Sequence, residues 1–251
     1  MKAERLCRLC ACALLAALLP ALAAPAAAVT LEDWSSGNDS AWTHVDLLAE
    51  MGLGGTNYQV SGGQYHLTSN LELPPLPQTV GAASLFNQSI VDPNAFANGF
   101  LTARFTIHNG NSCVFVPMRA DASALDFISF FAENDPDRIG ITVFDNFTYV
   151  NGSSVPFPVE NETEYFLTAG AMGSELSVKV WPVGSQEPVV PQVILIDTTY
   201  ANGQIGLGGY NQVNHGGFMA VSFGAVSFIP EPAGLMLMAT AAGLLGGRRR
   251  R

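Results

Sequence analysis

Short stretches of alternating apolar and polar residues dominate the middle of the chain. Leu101–His108 alternates strictly, which places one set of side chains on each face of a β-strand. Ser174–Val180 and Met219–Ala225 show the same pattern, and Ile141–Tyr149 follows it less cleanly. Phe127–Phe131 is largely apolar on both faces, as expected of a central strand. The body of the chain is therefore predicted to consist mainly of β-strands.

Turn-forming pairs and proline-bearing loops separate these stretches. The pairs are Asn98-Gly99, Asn109-Gly110, Asn151-Gly152, Asn202-Gly203 and Gly216-Gly217. Loops rich in proline are expected at 74–77 and 182–191. Short strands joined by such turns over about 200 residues predict an all-β fold, an antiparallel β-sandwich of the jelly-roll type, for residues 29–229.

The first 28 residues have the features of a secretory signal peptide. A basic start precedes an apolar run and a small-residue end, so cleavage is expected between Ala28 and Val29, with Ala21–Ala23 as a second possible site. An uncleaved anchor helix is the alternative. Three of the four cysteines would leave with this segment, and Cys113 is expected to be a small buried residue.

The last 22 residues form a second distinct segment. It consists of Pro230, Glu231 and Pro232, the uncharged stretch 233–247, and Arg248, Arg249, Arg250 and Arg251. As a helix, the uncharged stretch would rise about 22 Å, short of the ~30 Å hydrocarbon core of a membrane. The terminal arginines would hold that end in the cytoplasm. The segment is therefore predicted to be a short hydrophobic helix that anchors the chain only weakly.

This order of a Pro-Glu-Pro motif, a short hydrophobic helix and an arginine cluster resembles the PEP-CTERM sorting signal of Gram-negative bacteria. The resemblance implies that the exported chain is held for a time at the inner membrane. An exosortase, a membrane transpeptidase, would then process it near the motif. The protein would finally reach the cell surface or the extracellular matrix, where such proteins are commonly linked to polysaccharide and biofilm.

Four further segments resemble concanavalin A-like (laminin-G-like) jelly rolls. They are Tyr58–Leu67, Tyr165–Leu167, Leu176–Trp181 and Gly203–Leu207. Their order matches an early hairpin, a strand ending in Trp, and a Gly-x-Ile-Gly-Leu strand that leads to the last strand. The resemblance implies the same sandwich fold that the alternation predicts.

The charge of the body excludes one class of partner. Residues 29–229 hold four basic and 19 acidic residues, a net charge of −15. A surface this acidic repels phosphate backbones, so nucleic acid is not expected as a ligand.

Residues typical of catalysis are scarce. Glycoside hydrolysis needs two carboxylates about 5–10 Å apart, and the nearest candidates, in Glu160–Glu164, are interpreted as a solvated acidic edge. The four histidines lack the spacing of a zinc site, and no cofactor is expected. Calcium is the exception, since Asp135 and Asp137 lie in an oxygen-rich loop, although an ordinary turn is the alternative.

Sugar binding would need exposed aromatic rings with amides nearby. The candidates are Trp181, Tyr210, Asn211 and Asn214, the last three in a glycine-rich segment expected to be an exposed loop. The leading hypothesis is a secreted, non-enzymatic protein of the cell envelope or extracellular matrix. The alternatives are a carbohydrate-binding module and a divergent glycoside hydrolase.

Overall fold

Two antiparallel β-sheets account for most of the residues that the computed structural model describes. These are residues 27–46, 55–69, 80–109, 112–121, 126–146, 148–211 and 218–231. Val29–Ile229 forms one compact unit. Of the remaining residues, only 27–28 and 230–231 are described. Within the described ranges, no helix is long and apolar enough to span a membrane.

The first sheet has eight strands. In spatial order they are β13 (Val193–Ile196), β12 (Glu175–Pro182), β11 (Glu164–Met172), β6 (Gly99–Ile107), β15 (Ala220–Pro230), β4 (Gln64–Ser69) and β3 (Thr56–Ser61), with β1 (Val29–Glu32) also paired to β15. The strands β4 and β1 bind different halves of β15, at Ala220–Phe223 and Val226–Phe228.

The second sheet has seven strands. In spatial order they are β10 (Thr148–Pro156), β9 (Asp137–Asp145), β8 (Asp126–Asn134), β7 (Ser112–Asp121), β14 (Gly206–Asn211), β5 (Val80–Phe86) and β2 (Trp42–Asp46). The short helix α1 (Asn87–Val91) follows β5. The stretch Phe127–Phe131 lies in β8, which has a partner strand on each side.

The core lies between the inner faces of the two sheets. Alternate residues of each strand enter it, as the burial pattern of β6 shows with Leu101, Ala103 and Phe105 fully covered. Val114 and Phe130 contribute from the other sheet to the same cluster. Because each side chain of this size stabilises the fold by roughly 1.5–3 kcal/mol when buried, this cluster holds the sheets together.

The predicted all-β sandwich is confirmed, while some predicted boundaries are wrong. Asn151-Gly152 is not a turn but lies inside β10, next to a β-bulge. Gly152 fits there because a Cβ would lie only 2.8 Å from the carbonyl oxygen of Ile141. Ile141–Tyr149 is divided between β9 and β10. The signal peptide up to residue 26 and the tail from residue 232 lie outside the described residues.

Candidate functional site

Three neighbouring strands of the eight-stranded sheet present polar and aromatic side chains on its outer face. Val178 on β12, Leu167 on β11 and Ala103 on β6 belong to the core. Because side chains alternate along a strand, the residues before and after each of these face outward. The strand registers set these outward residues in three rows. The rows are Trp181–Phe166–Arg104, Lys179–Thr168–Thr102 and Ser177–Gly170–Phe100.

All of these residues except Arg104 and Gly170 line the floor of a groove of about 340 Å³, which we call the Trp181 groove. Its lining residues come from β6, β11, β12, β15 and the loop that follows β12. They are Phe100, Thr102, Phe166, Thr168, Ser177, Lys179, Trp181, Glu187, Pro191 and Ile229. The volume lies at the small end of the range for ligand sites, and the mixture of rings with a few polar groups is typical of them.

Aromatic rings form two sides of the groove. Trp181 stacks on Phe166 with ring centroids 5.2 Å apart and planes inclined by 27°. The ring of Phe100 covers Gly170, where a Cβ would lie 2.8 Å from the ring and 2.5 Å from Ser177 Oγ. Only glycine at this position leaves room for the Phe100 ring and the Ser177 hydroxyl.

Polar groups lie beside the rings. The hydroxyls of Thr102 and Thr168 are hydrogen-bonded at 2.7 Å across β6 and β11. Lys179 Nζ donates to Glu187 Oε1 at 2.8 Å, which connects the sheet to the loop above it. The groove therefore offers hydroxyl, ammonium and carboxylate groups next to apolar rings.

The loop between β12 and β13 is held against the sheet by its last residue. The side chain of Gln192 accepts the amide hydrogen of Val180 and donates to the Val180 carbonyl, both at 2.8 Å. Ser185 also donates its hydroxyl and its amide hydrogen to the carbonyl of Pro182. These contacts fix the loop that carries Glu187 and Pro191.

Of the residues that the sequence suggested for ligand binding, Trp181 lies in the groove, but it is only 8% exposed, so the expectation of an exposed ring is wrong for it. Tyr210 and Asn211 belong to the other sheet, and Asn214 is outside the described residues. The predicted exposed loop at Tyr210 and Asn211 is wrong, because both lie in strand β14 and Asn211 is buried. Gly208 lies within β14, and it is glycine because the ring of Phe115 occupies the space that a side chain would need.

A polar cluster on the outer face of the seven-stranded sheet was not predicted. Glu133 is fully buried there and accepts hydrogen bonds from Arg138 Nε and, at 3.2 Å, from the Tyr210 hydroxyl. Burial raises the pKa of the Tyr210 hydroxyl well above its usual value, so it stays a donor. Burial also raises the pKa of the neighbouring Cys113 thiol, which therefore remains protonated.

Ser222, His108 and Glu162 are connected in the order of a nucleophile, a base and an acid. His108 Nε2 is 2.9 Å from Ser222 Oγ, and its Nδ1 is 2.9 Å from Glu162 Oε2. This connectivity resembles a nucleophilic triad. Ser222 is only 1% exposed, however, so its hydroxyl is closed to a substrate.

The acidic segment Glu160–Glu164 does not present three carboxylates on one strand face, because only Glu164 belongs to β11. Glu164 forms an ion pair with Arg104. Asp135 and Asp137, the candidate calcium ligands, lie at the β8–β9 turn, and Asp137 Oδ1 accepts the amide hydrogen of Val159 at 3.3 Å. In the described part of the chain, no three His, Cys, Asp or Glu residues are grouped to hold a metal ion.

Comparison with known proteins shows a similar fold but no family. No protein-family model matches the chain, and a search of curated proteins found no match. The fold is similar to the carbohydrate-binding module CBM66 from Bacillus subtilis, at 16% identity and a TM-score of 0.51 over 74% of this chain and 94% of that one.

Two further solved structures share the fold. The CBM2 module of the evolved Dit protein of Lactobacillus casei BL23 phage J-1 has a TM-score of 0.53 and 11% identity, over 82% of this chain and 96% of that one. The Bacillus licheniformis β-glucanase has a TM-score of 0.51 and 11% identity, over 83% and 100%. At these identities the likeness is one of fold, a two-sheet jelly roll.

Proposed function

We propose that this chain is an exported, non-enzymatic protein that binds carbohydrate in the Trp181 groove. The observation that carries the proposal is the stacked pair Trp181–Phe166 beside the hydroxyls of Thr102 and Thr168 in one groove. A sugar ring has an apolar C–H face and a polar rim of hydroxyls. It can therefore contact an aromatic ring and hydrogen-bonding groups at the same time.

Two of the structural neighbours described above are carbohydrate-binding modules, which supports this proposal at the level of the fold. The neighbouring β-glucanase makes hydrolysis the alternative. Glycosidases use two carboxylates about 5–10 Å apart, whereas Glu187 is the one carboxylate among the described residues that line the groove. It already pairs with Lys179. Binding without hydrolysis therefore fits the groove better.

Export and sorting form the second part of the proposal. Strand β1 begins at Val29, and β15 ends at Pro230, the first residue of the Pro-Glu-Pro motif. Signal cleavage after Ala28 and exosortase processing after the motif would thus both leave the sandwich whole. The processed protein would act at the surface or in the extracellular matrix of a Gram-negative bacterium, in contact with polysaccharide.

Replacing Trp181 tests the binding site. We expect Trp181→Ala to weaken glycan binding by about 2 kcal/mol, roughly thirtyfold in Kd, as measured by affinity electrophoresis and calorimetry on the purified protein. Tyr149→Ala is the control, because Tyr149 is 63% exposed and lies on the other sheet. Thr168→Val provides a second variant that keeps both rings in place.

Equal binding by the Trp181→Ala and Tyr149→Ala proteins would refute the assignment of the groove. Failure of the unmodified protein to bind any glycan would refute the function itself. A reducing-sugar assay runs in parallel. Steady sugar release that stops in Glu187→Gln would show that the groove is a hydrolase site instead.

A further inference from the structure

We infer that the Trp181 groove selects uncharged glycans and that Glu187 is the residue that excludes anionic ones. This inference rests on the proposed function and names its ligand class. It follows from the positions of the few positive charges of the sandwich and from the groups with which they are paired.

All four basic residues of 29–229 lie in the described part of the chain, and each is already engaged. Arg104 binds Glu164, Arg138 binds Glu133, Lys179 binds Glu187, and Arg119 donates to backbone and side-chain oxygens. An anionic sugar would need a cationic side chain that is not already paired, since carboxylate and sulfate groups bind best in charge-assisted hydrogen bonds. Lys179 is the cation that lines the groove, and it is already paired with Glu187.

Glu187 also opposes an incoming anion directly. Its side chain is 52% exposed, whereas that of Lys179 is 21% exposed, so the carboxylate is the more accessible member of the pair. A uronic acid or sulfate that displaced Glu187 from Lys179 would leave two negative groups next to one cation. The net charge of −15 on residues 29–229 adds to this repulsion at low ionic strength.

An uncharged sugar meets no such barrier. A hydroxyl group is both a donor and an acceptor, so it can donate to Glu187 and accept from Lys179 while the two remain paired. The threonine hydroxyls at 102 and 168 offer the same dual bonding on the floor. The intact Lys179–Glu187 pair therefore serves as a neutral polar contact for a neutral ligand.

The experiment compares neutral and anionic polymers on the purified protein in 20 mM salt. Dextran, a β-1,3-glucan and a galactomannan are the neutral probes, and alginate and polygalacturonate are the anionic ones. We expect binding to at least one neutral probe, with both anionic probes at least tenfold weaker. Trp181→Ala should weaken the neutral binding roughly thirtyfold.

Glu187→Gln is the decisive variant because it frees Lys179 while it keeps the size of the side chain. We expect the ratio of anionic to neutral binding to rise at least fivefold, and this gain to disappear in 300 mM salt. Glu175→Gln is the matched control, since Glu175 is exposed on β12, the strand of Lys179, outside the groove, and gives the same change in net charge.

Two results would overturn the inference and leave the proposed function standing. One is anionic binding as tight as neutral binding, with both dependent on Trp181. The other is a Glu187→Gln protein with the same ratio of anionic to neutral binding as Glu175→Gln. A third result is distinct from these two. If the unmodified protein binds no glycan, the proposed function is refuted and this inference with it.

Discussion

Arg119 shows how a single buried cation can organise one end of the sandwich. It is 2% exposed, and its guanidinium donates to the carbonyls of Ala97, Tyr200 and Gly173 and to Asn98 Oδ1 at 2.8–3.0 Å. Burial lowers the pKa of this guanidinium, but arginine stays charged at neutral pH. One side chain thus connects the segment before β6, the β11–β12 turn and the loop after β13.

Replacing Arg119 should therefore cost much more than replacing an exposed cation. We expect Arg119→Met to lower the free energy of unfolding by about 3 kcal/mol, because one buried and three partly buried oxygens lose their donor. Urea denaturation measures the change. Lys179→Met is the control and should cost below about 1 kcal/mol, as a partly exposed ion pair does. Equal losses in the two variants would contradict the structural role of Arg119.

At the scale of elements, the loop between β12 and β13 forms a wall of the Trp181 groove. Gln192 holds it by two hydrogen bonds to the backbone of Val180. We expect Gln192→Ala to weaken glycan binding about tenfold, because Glu187 and Pro191 lose their fixed positions. The exposed Gln186 lies in the same loop, and Gln186→Ala should leave the affinity unchanged. The two variants are compared by calorimetry, and identical affinities would refute this role.

The end of β13 is joined to β10 of the other sheet through Asp197. Asp197 accepts from Asn151 Nδ2 at 2.9 Å and from the Thr199 amide at 2.8 Å. Burial disfavours the ionised carboxyl, but these hydrogen bonds and the charge of Arg119 outweigh it, so the pKa of Asp197 lies below its usual value. The ionised form therefore stabilises the fold above about pH 4, the usual pKa in unfolded chains, and this contribution fades as the pH falls through the folded-state pKa.

We accordingly expect Asp197→Asn to lower the Tm by a constant amount between pH 5 and 8, and by less below about pH 4. Thermal melts of both proteins from pH 3 to 8 measure this difference. Asp145→Asn removes an exposed carboxyl of β9 and serves as the control. A gap that grows as the pH falls would show the opposite sign and contradict the assignment.

Alternation predicted β6, β12 and β15 because each has one face in the core and one outside. The turn and loop predictions based on glycine failed at Asn151-Gly152 and in β14. In both places glycine leaves space for a neighbouring strand, at the Ile141 carbonyl oxygen beside Gly152 and at the Phe115 ring beside Gly208, and does not mark a turn. Atoms of another strand create that need, so the local sequence does not reveal it.

The same limit applies to the groove. The alternation of residues 101–108 and 174–180 already places Thr102 and Lys179 on the polar faces of their strands. Their meeting through Thr168 depends on β11 lying between β6 and β12, in a register fixed by pairing over the whole sheet. Likewise, Glu187 becomes a groove residue only because the loop folds back onto Lys179. The face on which each residue lies could therefore be predicted from the sequence. The long-range strand pairing that brings the residues together could not.

At the scale of the whole molecule, charge is divided between the sandwich and the two ends. Seven of the 11 basic residues lie in residues 1–8 and 248–251, while 19 of the 21 acidic residues lie in 29–229. Removing both ends would leave a strongly acidic sandwich, whose self-repulsion favours a dispersed, soluble state. The two proposed cuts, after Ala28 and near the Pro-Glu-Pro motif, lie at the two ends of the sandwich, where β1 begins and β15 ends.

Mass spectrometry of the exported protein tests these cuts directly. We expect a mature N-terminus at Val29 and the absence of Arg248–Arg251, because the small residues before Val29 fit signal peptidase and a helix of only 15 residues would be a weak permanent anchor. Replacement of the four arginines by serine should prevent retention at the inner membrane and change the processed C-terminus, since no cluster of positive charge would hold that end in the cytoplasm. Deleting the exosortase is the genetic control and should leave the arginines on the protein. Mature protein that keeps Arg248–Arg251 in cells with an active exosortase would refute the sorting assignment, while the fold and the Trp181 groove would be unaffected.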